Sequence, residues 1–93
     1  MKTELSLVIP VYNERNAVAE TVRLVRQELA SWPESVEVIL VNDGSTDGTG
    51  EILKTLDGVR VIEHLHNKGY GAALKTGIRA AQGAYVAITD SDL

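Results

Sequence analysis

The sequence predicts an α/β protein, a Rossmann-like parallel sheet with flanking helices whose elements alternate as βαβαβαβ. Short apolar runs rich in branched residues recur along the chain and predict buried strands. Between them lie segments with apolar residues at three- and four-residue spacing, long enough for the helices that connect parallel strands. Such connections are right-handed. We expect the strand order 3-2-1-4 of one mononucleotide-binding unit, with a reversal between strands 1 and 4.

Strand 1 covers Leu5–Val11, a nearly continuous apolar segment. We expect Asn13 to cap the helix that follows, because its side-chain oxygen can accept a hydrogen bond from a free amide of the first turn. The helix ends at Trp32 and Pro33. Its apolar stripe consists of Val18, Val22, Val25 and Leu29.

Strand 2 covers 36–41 and is followed by a polar loop over 42–48. A short helix comes next, and we expect Gly58 to close it, because the residue just beyond a helix often adopts a left-handed conformation. Strand 3 covers 59–63. The apolar residues of the short helix are Ile52, Leu53 and Leu56.

The last part of the chain predicts a polar loop, a helix and a strand. Gly69 and Gly71 allow the loop to turn and the helix to approach the sheet closely. The helix covers 72–82, and strand 4 covers 85–89 with Asp90 directly after it. The helix turns three apolar residues inward: Leu74, Ile78 and Ala81.

Length and composition limit the function classes. The 93 residues suit one domain with a single core, and 44% hydrophobic with 24% charged residues is typical of globular proteins. A net charge of −4 with scattered basic residues argues against nucleic acid as a partner. Without cysteine, any metal is held by oxygen or imidazole ligands. No apolar run suits a signal peptide or a membrane span, so we expect a soluble, cytoplasmic chain.

Acidic residues follow the predicted strands at one edge of the sheet. In an open α/β sheet, ligands bind beyond the carboxyl ends of the strands, where the strand order reverses. Such a cluster repels itself unless a cation lies there or some members are protonated. Asp90 and Asp92 suit Mg²⁺ or Mn²⁺, which takes oxygen ligands and keeps waters or a phosphate in its other positions. Five of the thirteen acidic residues belong to the cluster: Glu14, Asp43, Asp47, Asp90 and Asp92.

Structural explanations compete with these functional ones. Asp47 is better explained as a turn residue than as a ligand contact. Asp43 is followed by glycine after a buried strand, so we expect its carboxylate to point into the crevice. A solvated turn explains Asp90 and Asp92 less well than a metal site does, because a turn seldom requires two aspartates at alternating positions. Four basic residues are expected at the surface or behind the site, although the two lysines could steer a diphosphate: His64, His66, Lys68 and Lys75.

Four motifs, over essentially the whole chain and in order, resemble those of the family-2 glycosyltransferases, which have the GT-A fold. They are 8–14 (VIPVYNE), 41–49 (VNDGSTDGT), 67–73 (NKGYGAA) and 90–93 (DSDL). The resemblance is closest to the polyprenyl-phosphate branch, with dolichol-phosphate mannose synthase and the bacterial undecaprenyl-phosphate glycosyltransferases. It implies that 1–93 is the nucleotide-sugar-binding N-terminal part of a GT-A catalytic domain.

The resemblance also implies roles for individual residues. Asp43 would accept a hydrogen bond from the base ring. Asp92 would be the main metal ligand, Asp90 would bind the ribose or assist at the metal, and Ser91 would line the diphosphate. Nucleotide contacts in the first two motifs would be Pro10, Tyr12, Glu14, Val41 and Asp43. Serine replaces the alanine that the family usually has between the two aspartates.

The activity implied is transfer of a hexose, with inversion, from a nucleoside diphosphate sugar of the GDP-mannose or UDP-glucose type to a polyprenyl phosphate, with Mg²⁺ or Mn²⁺. The general base, the acceptor-binding half and any membrane-associating segment would lie outside these residues. The parent enzyme would act at the cytoplasmic face of a membrane. We therefore expect no catalytic residue within the chain and no turnover by it alone.

Two other classes of protein are alternatives, and the second is ranked last. One is a non-catalytic remnant or fragment that binds a cation or nucleotide without turnover. The other is a receiver-like regulatory domain, which also gathers aspartates at strand ends. That domain requires a fifth βα unit and a lysine after a later strand, and 93 residues do not accommodate them.

Overall fold

The computed structural model describes residues 3–91, whose strands form one parallel sheet in the order β3-β2-β1-β4. The predicted α/β class, the βαβαβαβ alternation and the strand order 3-2-1-4 are therefore confirmed. The elements are β1 (Leu5–Val11), α1 (Val18–Leu29), β2 (Val36–Asp43), α2 (Thr49–Leu53), β3 (Arg60–His64), α3 (Tyr70–Ala80) and β4 (Tyr85–Ile88).

The two central strands carry the core on both faces of the sheet. β1 pairs with β2 over its whole length, from Leu5 opposite Val36 to Val11 opposite Asn42. Their side chains alternate between two apolar clusters, as the two-residue period of a strand requires. One cluster contains α1 and Leu53 of α2, together with Ile9, Val11, Val38 and Leu40. The other contains Ala73 of α3, together with Val8, Ile39 and Val41.

The predicted apolar stripe of α1 is confirmed, but its predicted cap is wrong. Val18, Val22 and Val25 are buried. The helix begins at Val18, with Ala17 preceding it and no side-chain cap. Asn13 instead adopts a left-handed conformation with φ 50°. Its carboxamide oxygen is occupied by the amide of Thr46 at 2.8 Å, so it is not available to the first turn of α1.

Helix α3 packs on the sheet through its smallest residues. Ala73 and Gly77 are its buried positions, and a Cβ at Gly77 would clash with Val8 and lie 3.2 Å from Val41 Cγ2. The close approach predicted for Gly69 and Gly71 is therefore wrong, since a Cβ at either position would meet open space. The contact face centred on Gly77 leaves Ile78 46% exposed, which corrects its predicted inward position. Leu74 and Ala81 do pack against the core.

The element boundaries differ from the prediction where polar residues continue or interrupt an element. β2 continues through Asn42 and Asp43, which pair with β3. α2 ends at Leu53, so the prediction that Gly58 closes it is wrong. Gly58, with φ 75°, lies in the turn before β3, where a Cβ would come within 2.7 Å of the Arg26 guanidinium.

The helices are short compared with a lipid bilayer. The longest of those described, α1, has 12 residues, whereas a membrane-spanning helix requires about 20 predominantly apolar residues. Within residues 3–91, no helix has the length and apolar character that crossing a bilayer requires.

Candidate functional site

A pocket with a volume of about 410 Å³ lies at the carboxyl ends of β1, β2 and β4. This is the edge at which the strand order reverses, where ligands bind in open α/β sheets. The loops after β1, β3 and β4 complete its walls. It is lined by Pro10, Val11, Tyr12, Glu14, Asp43, Asn67, Gly69, Tyr70, Ala73, Asp90 and Ser91.

The structure brings most of the predicted site residues together in this pocket. Val41 is the exception among the described ones, because its side chain is fully buried in the core under α3. Asp92 lies outside the described residues, so its predicted role as the main metal ligand stays a prediction. The predicted residues that line the pocket are Pro10, Tyr12, Glu14, Asp43, Asp90 and Ser91.

Hydrogen bonds between two loops hold Tyr12 and Glu14 at the pocket. The amides of residues 13–15 donate to side chains of the β2–α2 loop and of the first residue of α2: Asn13 to Ser45 Oγ at 3.0 Å, Glu14 to Thr49 Oγ1 at 3.1 Å and Arg15 to Asp47 Oδ2 at 3.2 Å. Asp47 Oδ1 also accepts from the amide of Thr49 at 3.0 Å, which confirms its predicted role as a turn residue.

Asp43 is the most enclosed polar group of the site. Its side chain is 5% exposed. Oδ1 accepts from the amide of Lys68 at 2.9 Å and lies 2.8 Å from His64 Nδ1, while Oδ2 accepts from the amide of Gly69 at 2.9 Å. Burial alone would raise the pKa of this carboxyl, but the hydrogen bonds from Lys68, His64 and Gly69 together lower it below its ordinary value. Asp43 is therefore an ionised acceptor.

The remaining acceptor capacity of Asp43 is on one oxygen. An ionised carboxylate has about four acceptor positions. The contacts of Asp43 occupy two positions on Oδ1 and one on Oδ2. By this count Oδ2 keeps one acceptor position, and Asp43 is among the residues that line the pocket.

The four basic residues lie at the surface or behind the site, as predicted. His64 lies behind Asp43, with its side chain 8% exposed and Nε2 2.8 Å from Thr76 Oγ1. His66, Lys68 and Lys75 are exposed, and none of the four is among the pocket-lining residues. Lys68 contributes its backbone amide to Asp43 rather than its charge.

One pocket wall consists of residues for which the sequence predicted no contact with a ligand. Asn67, Gly69, Tyr70 and Ala73 come from the β3–α3 loop and the first turn of α3. The sequence signal for this wall was the third motif, 67–73. Gly69 has φ 101°, a conformation that side chains other than glycine rarely adopt, and this turn directs the chain from the pocket edge into α3.

The pocket is acidic. Its lining includes Glu14, Asp43 and Asp90, and no lysine or arginine is among the residues that line it. Carboxylate and amide oxygens are hard donors and fit Mg²⁺ or Mn²⁺. Over residues 3–91, no three acidic or histidine side chains come together as a metal-binding group. The metal prediction depends on Asp90 together with Asp92 and stays a prediction.

A parallel sheet in the order 3-2-1-4 with a pocket at its reversal point defines a Rossmann-like ligand-binding domain. The sequence model of Glycosyl transferase family 2 matches residues 6–93. The chain belongs to that family.

Curated relatives are similar over nearly the whole chain. Dodecaprenyl-phosphate galacturonate synthase of Rhizobium johnstonii is 40% identical over 97% of this chain. Undecaprenyl-phosphate 4-deoxy-4-formamido-L-arabinose transferase of Pseudomonas paraeruginosa is 36% identical over 96% of it. The chain spans 28% of the length of each of these two relatives. The polyprenyl-phosphate branch suggested by the motifs is therefore represented among the relatives.

Solved structures share the fold. The mannosyltransferase PcManGT from Pyrobaculum calidifontis, in complex with GDP-Man and Mn²⁺, superposes with a TM-score of 0.84 at 28% identity, covering 99% of this chain and 28% of that one. S. aureus TarS 1-349 in complex with UDP-GlcNAc gives a TM-score of 0.85 at 26% identity, covering 97% and 27%. The predicted relation to the N-terminal part of the GT-A fold is confirmed.

Proposed function

We propose that the chain is the nucleotide-sugar-binding part of a glycosyltransferase catalytic domain that transfers a hexose from a nucleoside diphosphate sugar to a polyprenyl phosphate. The observation that supports it most directly is the pocket at the sheet's reversal point, which is lined by residues of all four family motifs. Its volume of about 410 Å³ is within the range of roughly 300–1,000 Å³ for small-molecule sites.

The base and ribose occupy the part of the pocket between the β1–α1 and β3–α3 loops. Asp43 accepts the ring N–H of the base at its remaining Oδ2 position, which suits uracil and guanine alike. Pro10, Tyr12 and Glu14 line the base and ribose, and the main chain near Val41 lies beside them. The tethered amides of residues 13–15 support this arrangement, because they hold the β1–α1 loop in place before a ligand binds.

The diphosphate requires a cation. An anionic diphosphate in a pocket lined by carboxylates is repelled unless positive charge is brought with it. Asp90 and Asp92 would hold Mg²⁺ or Mn²⁺, and Ser91 would line the diphosphate. When bound, this ion stabilises the charge that develops on the leaving nucleoside diphosphate. The complex of PcManGT with GDP-Man and Mn²⁺ is consistent with a divalent ion in this fold.

The acceptor is a polyprenyl phosphate, the class for which two of the relatives are named. A phosphate oxygen is largely ionised at neutral pH and needs little deprotonation, so orientation of the acceptor carries more of the catalysis than a strong base does. Transfer is inverting, and the general base, the acceptor contacts and the membrane-associating segments lie outside these 93 residues. The reaction takes place at the cytoplasmic face of a membrane.

Calorimetric titration with UDP and with GDP, each with and without Mn²⁺, tests the donor site. We expect one nucleotide to bind in the presence of Mn²⁺ and to bind about tenfold or more weakly without it. Asp92→Asn should weaken binding by a similar factor. Asp57→Asn makes the same change on an exposed turn away from the pocket and should leave affinity unchanged.

Two outcomes would contradict the proposal. If neither nucleotide binds, or if binding ignores both Mn²⁺ and Asp92→Asn, the assignment of the donor site is wrong. If Mn²⁺ binds tightly and no nucleotide adds to it, the chain is the cation-binding remnant described among the alternatives. A radiolabelled transfer assay with undecaprenyl phosphate should show no turnover by the 93-residue chain alone.

A further inference from the structure

The β3–α3 loop, residues 65–69, forms one wall of the pocket. It is held by hydrogen bonds to Asp43 and by close packing against Gly44. The carboxylate of Asp43 accepts hydrogen bonds from the amides of Lys68 and Gly69. Gly44 packs against the loop so closely that a Cβ there would come within 2.5 Å of the backbone of His66 and Asn67. The wall therefore depends on the orientation of a single carboxylate.

A second line of contacts fixes that carboxylate. His64, the last residue of β3, places Nδ1 2.8 Å from Asp43 Oδ1 and Nε2 2.8 Å from Thr76 Oγ1 on α3. An ionised carboxylate only accepts hydrogen bonds, so Nδ1 must carry a proton. On the far side of the ring, Nε2 has the Thr76 hydroxyl as its partner, which can donate to an unprotonated Nε2 or accept from a protonated one.

We infer that His64 is a positioning residue: its Nδ1–H donates to Asp43 and fixes the carboxylate plane, and through it the pocket wall over 65–69. Once the carboxylate plane is fixed, the remaining acceptor position of Oδ2 also has a fixed direction. This inference rests on the proposed function where it concerns the nucleotide, because that Oδ2 position is the one offered to the base.

The hydrogen bond between His64 and Asp43 can fix the carboxylate because both side chains are shielded from water. The side chains of His64 and Asp43 are 8% and 5% exposed, so water competes little for their hydrogen bond. No side-chain nitrogen or oxygen buried within the described residues lacks a hydrogen-bond partner. Loss of the imidazole would leave Oδ1 with the Lys68 amide as its remaining partner, and the carboxylate could rotate about its last bond.

A matched pair of substitutions separates the two ring nitrogens. The amide nitrogen of asparagine replaces Nδ1 of histidine in position, and that of glutamine replaces Nε2. His64→Asn therefore keeps a donor to Asp43 and loses the link to Thr76. His64→Gln keeps a polar group near Thr76 and loses the donor to Asp43. Both variants are neutral and polar, so they differ chiefly in which contact survives.

The first measurement needs no nucleotide. Amide hydrogen exchange at Lys68 and Gly69, followed by NMR, should be within about twofold of the original protein in His64→Asn and about tenfold faster in His64→Gln. The ¹⁵N shifts of the imidazole should show the proton on Nδ1. Equal exchange in all three proteins, or a proton on Nε2 alone, would overturn the inference.

The second measurement uses UDP and GDP with Mn²⁺. The affinity of His64→Asn should match that of the original protein, and that of His64→Gln should be about tenfold weaker. If the original protein binds and both variants bind equally well, His64 does not position the site. If no nucleotide binds the original protein while the exchange rates differ as stated, the proposed function fails and the positioning role stands.

Thr76 provides a second pair if His64→Gln does not fold. Thr76→Val removes the hydroxyl at nearly constant volume, whereas Thr76→Ser keeps it. The valine variant should speed exchange at Lys68 and Gly69, by less than the loss of the imidazole donor would, and the serine variant should restore the original rate. Identical exchange in both variants would show that the His64 ring is held without Thr76 and would contradict this part of the inference.

Discussion

The surroundings of Asp43 determine both its charge state and its role in holding the pocket wall. It is enclosed by two backbone amides and an imidazole that come from 21 to 26 residues further along the chain. Those contacts keep it ionised in spite of its burial. The same contacts link a wall of the pocket to the end of β2, so folding stability and site geometry depend on the same group.

Replacing Asp43 by asparagine should therefore destabilise the fold. The asparagine NH₂ group cannot accept a hydrogen bond, so it leaves an amide or the imidazole without its partner in an enclosed site. We expect a loss of about 2–4 kcal/mol in the free energy of unfolding, measured in urea at neutral pH. Asp57→Asn, on an exposed turn, should change it by less than about 0.5 kcal/mol. Equal stabilities would show that Asp43 is not held by these contacts.

Sequence reasoning could place Asp43 at the end of a strand but could not supply its partners. Its position follows from a buried apolar run that ends in a polar turn, which is a local signal. Its contacts with His64, Lys68 and Gly69 depend on how a distant loop is packed, and no periodicity carries that information. Asn13 shows the same limit: its local context suggested a cap, and a neighbouring loop took its side chain instead.

At the scale of the elements, the small side chains on one face of α3 determine how closely it packs on the sheet. Ala73 and Gly77 give it a nearly flat face, which rests on Val8 and Val41 of the central strands. The larger apolar residues of the helix predicted a different inward face, one that turned Ile78 towards the core. Small residues carry a weak hydrophobic signal, yet they permit the closest contact between a helix and a sheet.

Two glycine-to-alanine substitutions in this helix should have opposite effects. Gly77→Ala pushes a methyl group into Val8 and should cost about 1–3 kcal/mol of unfolding free energy. Gly71→Ala adds its methyl to open space and should stabilise the helix by up to about 1 kcal/mol, because alanine has the higher helix propensity. Thermal and urea unfolding of both variants would measure this. Stabilisation by both would show that α3 does not approach the sheet this closely.

At the scale of the whole molecule, the end of the sheet opposite the pocket is held by one carboxylate. Glu37 of β2 accepts from Ser6 of β1, from Arg60 of β3 at 2.8 Å and from the amide of Gln82 before β4 at 2.7 Å. Burial raises the pKa of this carboxyl, but hydrogen bonds from Ser6, Gln82 and Arg60 outweigh that effect and lower the pKa below its ordinary value.

Lowering the pH should therefore reduce the free energy of unfolding. Because the folded-state pKa of Glu37 is lowered, its contribution to stability is complete above the ordinary glutamate pKa of about 4.3 and is lost as the pH falls towards the lower folded value. Asp43 acts in the same direction. Urea unfolding between neutral pH and about pH 3 should show this decline. Glu37→Gln should be less stable at neutral pH and should lose less on acidification; an unchanged acid dependence would contradict this role of Glu37.

The class of fold was predictable because it depends on the pattern of apolar residues along whole segments and not on the contacts of single residues. Alternating apolar runs and crossover lengths restrict the topology to very few arrangements, and the order of β3, β2, β1 and β4 was among them. The pocket's position follows from the same topology, and six predicted residues line it: Pro10, Tyr12, Glu14, Asp43, Asp90 and Ser91. The wall built by Asn67, Gly69 and Tyr70 depends on loop packing and was recognised only as a motif.

The loop held by Asp43 also bears on which sequence changes the site tolerates. At position 68 the anchor is a backbone amide, so every amino acid except proline retains it. At position 69 the anchor is again an amide, but φ of 101° restricts the position to glycine. Neighbouring positions on one wall thus tolerate substitution differently. A change at 68 alters the charge beside the pocket and keeps the anchoring amide, whereas a side chain at 69 strains the backbone of the wall.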